Sequence, residues 1–324
     1  MLSRPMTSNL PTTSDLIKKY ALNAKKSLGQ NFILDKNFTD KIARAAGDLS
    51  DCVILEIGPG PGSLTRSILD AGAKKLIVVE KDQRCLEALQ ELKNFYGERL
   101  EIIEGDALEI DESAIFSGEK KFKIIANLPY NIGTVLLFKW LKIPEKISSM
   151  HLMLQKEVVE RIVAKVGDKN YGRLAVMVNF LCETKMLFTV SNTVFTPPPK
   201  VTSAIVQIIP RSKALAYQSY LEPELLSSGI GVPHKVGRDS CRIHNKKICQ
   251  SPKDFGTDVE FKKLEKVVAA AFNQRRKMVK SALKSVFENP EKILIEAGIN
   301  QNLRAENLTI EDFCRIAEKK LLEP

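Results

Sequence analysis

Four short groups of residues have the types and spacing to act together on a ligand. The run Cys52 to Gly62, CVILEIGPGPG, leads apolar residues to a carboxylate, Glu56, and then to glycines at alternate positions, Gly58, Gly60 and Gly62. Glycines there let backbone approach a ligand where a Cβ would obstruct it. Glu80 closes the run LIVVE, where a carboxylate can accept hydrogen bonds from both hydroxyls of a ribose. Asp106 follows LEIIEG and can accept from an exocyclic amine, with the Ala107 amide beside it as donor; an acidic strand end before a helix is equally ordinary N-cap chemistry. The fourth group is Asn127-Leu128-Pro129-Tyr130. The N6 amine of adenine is a poor nucleophile because its lone pair is delocalised into the ring, so a site must hold that nitrogen closer to tetrahedral. The Asn127 carboxamide oxygen and the backbone carbonyl of Leu128, preceding Pro129, can accept its two N–H bonds, and Tyr130 can stack on the base.

These groups narrow the chemistry. A dinucleotide fingerprint requires G-x-G-x-x-G, whereas this chain has G-x-G-x-G with Ser63 in the last glycine's place, and the pyrophosphate turn has no need of Glu56. An acidic residue followed by alternating glycines suits S-adenosylmethionine, which carries an amino-acid moiety and no phosphates. On the glycines alone the methyl donor is preferred, with nicotinamide and flavin still open. With a sulfonium leaving group and late proton loss, methylation of N6 needs no strong base. Cytosine C5 methylation is disfavoured because it needs a nucleophilic thiol, usually in a Pro-Cys pair, and no Pro precedes a Cys here.

The elements that must position these groups can be traced along the chain. Val53 to Ile57 has the composition of a strand covered on both faces, and from Ser63 the residues Leu64, Ile68 and Leu69 mark one helix face that stops at Gly72. KLIVVE, LEIIEGD and KIIANLPY predict further strands, and RCLEALQELKN and TVLLFKWLK predict helices. The alternation predicts an α/β fold with a mostly parallel sheet and helices on both faces. HLMLQKEVVERIVAK follows as strand then helix, and NYGRLAVMVNFLCET as a helix. KMLFTVSNTVFTPPPKVTSAIVQIIP gives two strands about a proline break, the second expected at the antiparallel edge of the sheet. Its prolines fix a loop at the rim of the site, where Phe195 could meet a base; a rigid turn with no ligand role is the alternative. Upstream, Met1 to Asn23 is expected to be a mobile tail. KKSLGQNFILD, Lys25 to Asp35, suits a lid over a polar ligand or a plain lead-in to a helix that Asp35 caps, Asn37 to Ala46.

The 324 residues allow one large α/β domain and a smaller partner, and 44% hydrophobic with 27% charged residues describes a globular chain. No segment approaches the roughly twenty apolar residues of a membrane span. A net charge of +10 favours a polyanionic partner, nucleic acid before acidic membrane. The six cysteines, Cys52, Cys85, Cys182, Cys241, Cys249 and Cys314, are mostly isolated and do not form a disulfide framework, so a reducing cytoplasm is expected.

Taken in order, KKSLGQNFILD, EIGPGPGSLT, VVEKD, EGDAL, NLPYNI, MLQKEVVERI, YGRL, FTPPPKVTSAIV and AFNQRRKMVKSAL resemble the ribosomal RNA adenine dimethyltransferase family. Its members modify two adjacent adenosines near the 3′ end of small-subunit RNA. The resemblance covers Lys25 to about Arg211 and Val259 to the end. It implies a Rossmann-like class I methyltransferase sheet with an antiparallel edge strand and a small all-α C-terminal domain. It implies that Asn31, Ile33, Gly58, Glu80, Asp106 and Asn127 contact S-adenosylmethionine, and that Asn127, Leu128, Pro129 and Tyr130 present the adenine. Ile33 departs from the family's commoner leucine, an exchange a clamp tolerates. A monomer acting on ribosomal RNA within a pre-ribosomal small subunit, with no membrane partner, is the expected setting. The macrolide-resistance methyltransferases of large-subunit RNA share the catalytic half, and the C-terminal motif and final helices favour the small-subunit enzyme. A non-catalytic RNA-binding assembly or transcription factor on the same fold is the rival of another class, and the intact Asn127 to Tyr130 beside an intact glycine loop argues against it.

The expected divisions are thus a tail, 1–23; a methyltransferase domain, 24–212; a surface insertion, 213–258; and a helical RNA-binding domain, 259–324. The insertion departs from the family, which crosses here by a short linker, and its length exceeds ordinary loops. His234, Cys241, His244 and Cys249 lie in it, but their spacing matches no standard zinc finger and no metal is expected. Val259 to Phe287 has helical spacing for one bent helix or two, studded with Lys262, Lys263, Lys266, Arg275, Arg276, Lys277, Lys280 and Lys284 and opposed nearby only by Glu260 and Glu265. RNA contact is therefore expected from Arg275, Arg276, Lys277 and Lys280, and from Lys25, Lys26 and Phe195 at the catalytic side.

Overall fold

The structure is a computed structural model that describes residues 10–23, 30–118, 121–211 and 258–322. Lys25, Lys26, the first nine residues, His234, Cys241, His244, Cys249 and all but the last residue of the 213–258 insertion lie outside the described residues. Two compact units emerge, one of 1–163 with 182–210, the other of 164–181 with 211–324. The segment 164–181, expected within the methyltransferase domain, belongs to the second unit.

In chain order the first unit runs α1 (Thr13–Lys19), β1 (Phe32–Ile33), α2 (Lys36–Ala45), β2 (Val53–Ile57), α3 (Ser63–Asp70), β3 (Lys75–Glu80), α4 (Gln83–Tyr96), β4 (Leu100–Glu104) and α5 (Glu112–Ile115). It continues with β5 (Phe122–Asn127), α6 (Gly133–Trp140), β6 (Ile147–Gln155) and α7 (Lys156–Val163). After α8 (Arg173–Leu181), which lies in the second unit, come β7 (Cys182–Val190), β8 (Phe195–Thr196) and β9 (Ser203–Pro210). The main sheet has seven strands in the order β4-β3-β2-β5-β6-β9-β7. The first five are parallel and β9 and β7 are antiparallel. From β2 the chain steps outward through β3 and β4, then crosses back to β5 on the other side of β2. That reversal opens a crevice at the carboxyl ends of β2 and β5, the usual ligand position in such sheets. Every residue of β2 is buried, as its unbroken apolar run requires of a strand covered on both faces.

Two expectations about this unit are corrected. The second strand of the proline pair is interior, because β9 hydrogen-bonds to β6 on one side and β7 on the other; the edge strand is β7. Burial explains the order, since SAIVQIIP is buried along most of its length while CETKMLFTV alternates with exposed and half-exposed residues. The 1–23 segment also contains an ordered part. Thr12 and Asp15 form a capping box that starts α1, and Leu16 and Leu22 join the hydrophobic core. Asp35 caps α2 as expected, accepting from the amides of Asn37 and Phe38.

In the second unit, α8 packs with α9 (Asp258–Asn273), and α10 (Val279–Ala282), α11 (Pro290–Glu296) and α12 (Ile310–Ala317) complete the described helices. The basic stretch is thus two helices, broken at a turn over Gln274 to Lys277. Leu264, Val267, Val268, Ala271, Phe313 and Ile316 are buried. Tyr171 donates its hydroxyl to the Leu308 carbonyl at 3.0 Å and stands edge-on to Phe272. Thr309 and Asp312 form the capping box of α12, which ends at Ala317.

Candidate active site

The crevice at the carboxyl ends of β2, β3 and β5 holds a cavity of about 240 Å³. Its floor is the glycine loop. Gly60 and Gly62 both take left-handed backbone, and a Cβ on Gly62 would collide with Leu92 of α4, while one on Gly60 would come within 3.1 Å of the Phe32 ring. The loop can therefore press against its surroundings only as glycine. The amide of Gly60 donates to Glu80 Oε2 at 3.0 Å, and the amides of Lys81 and Asp82 donate to Glu80 Oε1 at 2.9 and 2.8 Å. Burial pushes the Glu80 carboxyl upward and these three backbone bonds oppose it. Oε1 thus accepts two bonds and Oε2 one, so the carboxylate's remaining acceptor capacity lies on Oε2.

Glu56 is different. It is fully buried, accepts only from Thr65 Oγ1 at 2.7 Å among the described residues, and lies close enough to Glu80 to feel its charge. Burial chiefly, with Glu80 adding to it, pushes its carboxyl up to about 8, so that Glu56 is largely protonated at neutral pH. Asp106 is the opposite case. Lys81 Nζ pairs with its Oδ2 at 2.8 Å and holds its carboxyl below the usual range, while Oδ1 accepts the Leu108 amide at 2.9 Å. Asp106 lines the cavity and closes a turn through the Leu108 amide; no helix starts there, and the next one, α5, is capped by Asp111. That loop is tied to α6 by Lys139, which donates to the carbonyls of Ala107 and Ile110 and pairs with buried Glu112.

On the far wall, β5 ends in Asn127 and turns at Pro129 into α6, with the Pro129 carbonyl accepting from Ile132 and Gly133. Leu128 is buried and its amide donates to the Met153 carbonyl, which anchors the turn to β6. Pro129 packs close to the glycine loop, 3.7 Å from where a Cβ of Gly58 would stand. The Asn127 side-chain Nδ2 donates to the Asn31 backbone carbonyl at 3.4 Å, and the other end of the carboxamide, its oxygen, is an acceptor.

Asn31, Ile33, Gly58, Glu80, Asp106, Asn127, Leu128, Pro129 and Tyr130 all line this one cavity. Phe195 does not. It is only 3% exposed, pairs through its backbone with Ile33, and belongs to the core, because the short β1–β8 ladder draws it inward instead of leaving it at the rim. In the second unit Arg275 pairs with Glu306 at 2.8 Å and donates to the Lys169 carbonyl at 2.9 Å, and Lys280 faces Glu291 at 3.6 Å. Arg276 and Lys277 are exposed and make no ion pair among the described residues. Sequence reasoning missed Ser63, whose buried hydroxyl lines the cavity without a partner among the described residues, and the support that Asp82 gives from outside the lining, where it accepts from cavity-lining Gln30 and from Arg84, which chiefly holds its carboxyl down to about 2. Asp82 stood in the VVEKD motif beside Glu80, the one available signal; Ser63 was read only as a missing glycine.

A family model described as ribosomal RNA adenine dimethylase matches residues 21–223 and 247–321. The chain is 44% identical over 311 residues, 95% of this chain and 97% of the relative, to the ribosomal RNA small subunit methyltransferase A of Allorhizobium ampelinum. It is 45% identical over 312 residues, covering 95% and 96%, to the protein of the same name from a Ruegeria species. Among solved structures it resembles a dimethyladenosine transferase from Plasmodium falciparum, with a TM-score of 0.62 and 26% identity over 88% of this chain and 95% of that one. The 23S rRNA methyltransferase ErmE has the same fold, with a TM-score of 0.58 and 24% identity over 89% and 98%.

Proposed function

The chain belongs to the ribosomal RNA adenine dimethylase family, and on that premise we propose that this cavity binds S-adenosylmethionine beside a flipped adenosine of small-subunit ribosomal RNA. The product is N6,N6-dimethyladenosine at two adjacent positions near the 3′ end. The observation that carries the reading is the packing of the Asn127 to Tyr130 turn against the glycine loop within one cavity.

The residues present fit such a donor. Glu80 keeps acceptor capacity on Oε2 for a ribose hydroxyl, Asp106 and the Ala107 amide suit an adenine edge, and the glycine floor with the unpartnered Ser63 hydroxyl suits the amino-acid end. S-adenosylmethionine supplies an electrophilic methyl on a sulfonium. The chain's own contribution is to make N6 nucleophilic. The Asn127 carboxamide oxygen and the Leu128 carbonyl accept the two N–H bonds of the target amine, which draws its lone pair out of the ring, and Tyr130 holds the base plane. Burial raises the Tyr130 phenol, so it stays neutral through physiological pH and serves through its ring. The same geometry accepts a base already carrying one methyl if one of the two N–H contacts is given up.

The test is transfer of labelled methyl from S-adenosylmethionine to unmethylated small-subunit particles, followed by nucleoside mass spectrometry. Two adjacent dimethyladenosines are expected. Labelling confined to large-subunit RNA would overturn the substrate assignment, and no labelling would favour a non-catalytic RNA-binding role.

A further inference from the structure

Tyr130 has a partner that lies outside the motif and outside the cavity lining. Its phenol oxygen is 2.7 Å from Oγ of Ser203, a wholly buried residue 73 positions further along the chain. Ser203 opens β9, and its backbone is fixed from both sides, opposite Gln155 of β6 and Val190 of β7. The carbonyl of Thr202, just before it, accepts the Lys156 amide at 2.9 Å. The hydroxyl is thus carried by one of the most constrained positions in the sheet. Tyr130, by contrast, sits half-buried on the turn after β5, where its ring could otherwise swing about its side-chain torsions. A hydrogen bond at the far end of the ring removes that freedom, and a buried hydroxyl is costly to leave unpaired, so the bond is favoured from both ends.

We propose that Ser203 is a positioning residue for the methyl transfer, its hydroxyl reaching across from β9 to fix the plane of the Tyr130 ring against which the target purine stacks. The proposal rests on the reading of Tyr130 as the base-stacking aromatic. With the ring pinned, no rotamer freedom is lost when the base arrives, and the amine stands where Asn127 and Leu128 can accept from it. With the ring loose, that ordering must be done at each encounter, at a cost to engagement of the RNA and none to the cofactor.

The experiment compares Ser203→Ala, Tyr130→Phe, the double variant and Tyr130→Ala on unmethylated small-subunit particles. The cofactor dissociation constant and the melting temperature are recorded for each. Ser203→Ala and Tyr130→Phe should each lower kcat/KM for the RNA about three- to tenfold, the scale of one hydrogen bond, with cofactor affinity unchanged. The double variant should be no worse than the poorer single variant, because both changes remove the same bond. Wild-type kcat/KM in Ser203→Ala, or a double variant whose loss is the product of the two single losses, would overturn the tether. Tyr130→Ala separates the two levels. If it is strongly impaired while Ser203→Ala is not, the tether alone fails; if it too acts at the wild-type rate, the stacking reading fails. Should Ser203→Ala melt early, Tyr130→Phe removes the same bond from the cavity side without altering the core, and its kcat/KM decides.

Discussion

The cavity of the first unit and the basic turn of the second both present charge that a ligand could meet, and they are built in opposite ways. Around the cavity the carboxylates are committed: Glu80 to three backbone amides, Asp106 to Lys81, Asp82 to Arg84 and Gln30, Glu56 to Thr65. At the turn between α9 and α10, Arg276 and Lys277 stand exposed, whereas their neighbour Arg275 is committed to Glu306 and the Lys169 carbonyl. The difference separates two uses of polar groups. A network in which partners hold one another preserves shape, and catalysis by orientation needs shape. Uncommitted surface cations keep their charge for a polyanion and depend little on geometry.

The largest effect that would sharpen this contrast is at Asn127. Asn127→Ala should cut turnover by about a hundredfold or more, the scale of losing one preorganised hydrogen-bonding group, while cofactor affinity changes little. Turnover near wild type, measured in single-turnover transfer, would show that orientation of the amine is not the cavity's task.

A smaller effect should divide the basic turn itself. Changing Arg276 and Lys277 together to Gln should weaken RNA binding and flatten its dependence on log salt by up to about two units, without altering the melting temperature. Arg275→Gln should do the reverse. It loses a charge-assisted bond to a carbonyl and an ion pair, so the protein should melt a few degrees lower while the salt slope holds. If Arg275→Gln changed the slope as much as the pair does and left the melt untouched, all three cations would belong to the RNA surface.

The smallest effect concerns pH and Glu56. Its folded carboxyl is pushed up to about 8 from an ordinary 4.5, so between these values the folded protein keeps a proton that the unfolded chain gives up. Its contribution to stability is therefore complete below the lower value and is lost as pH rises through the higher one. Glu56→Gln, permanently neutral and still able to accept from Thr65, should melt much like wild type near pH 5 and progressively higher than wild type toward pH 9. Parallel curves would show that Glu56 is ionised throughout and that the cavity floor is charged.

Some of this was legible along the chain and some was not, for identifiable reasons. The alternating glycines, the carboxylates at strand ends, Asn127 to Tyr130 and the cap at Asp35 are local patterns, in which covalent spacing alone fixes which groups lie side by side. Lys25, Lys26 and the 213–258 insertion belong to that reading too, and all but Asp258 lie outside the described residues. The position of β9 depended on which strand would accept it as a neighbour, a choice among ladders that its own apolar residues do not make. Phe195 and Arg275 had side chains suited to a ligand, and their partners, Ile33 and Glu306, are supplied by distant parts of the chain.

Sequence by itself determined the pieces on which the proposed chemistry rests, because the glycine loop and the Asn127 to Tyr130 turn are each runs of consecutive residues whose backbone conformations are restricted by their own side chains. Tertiary structure alone decided which of the polar groups are spent on holding that chemistry in place: the Tyr130 hydroxyl on Ser203, the Asn127 amide on Asn31, Arg275 on Glu306. Each of those partners is set by sheet order or helix packing, so its identity depends on contacts between segments that the local sequence around either residue does not encode.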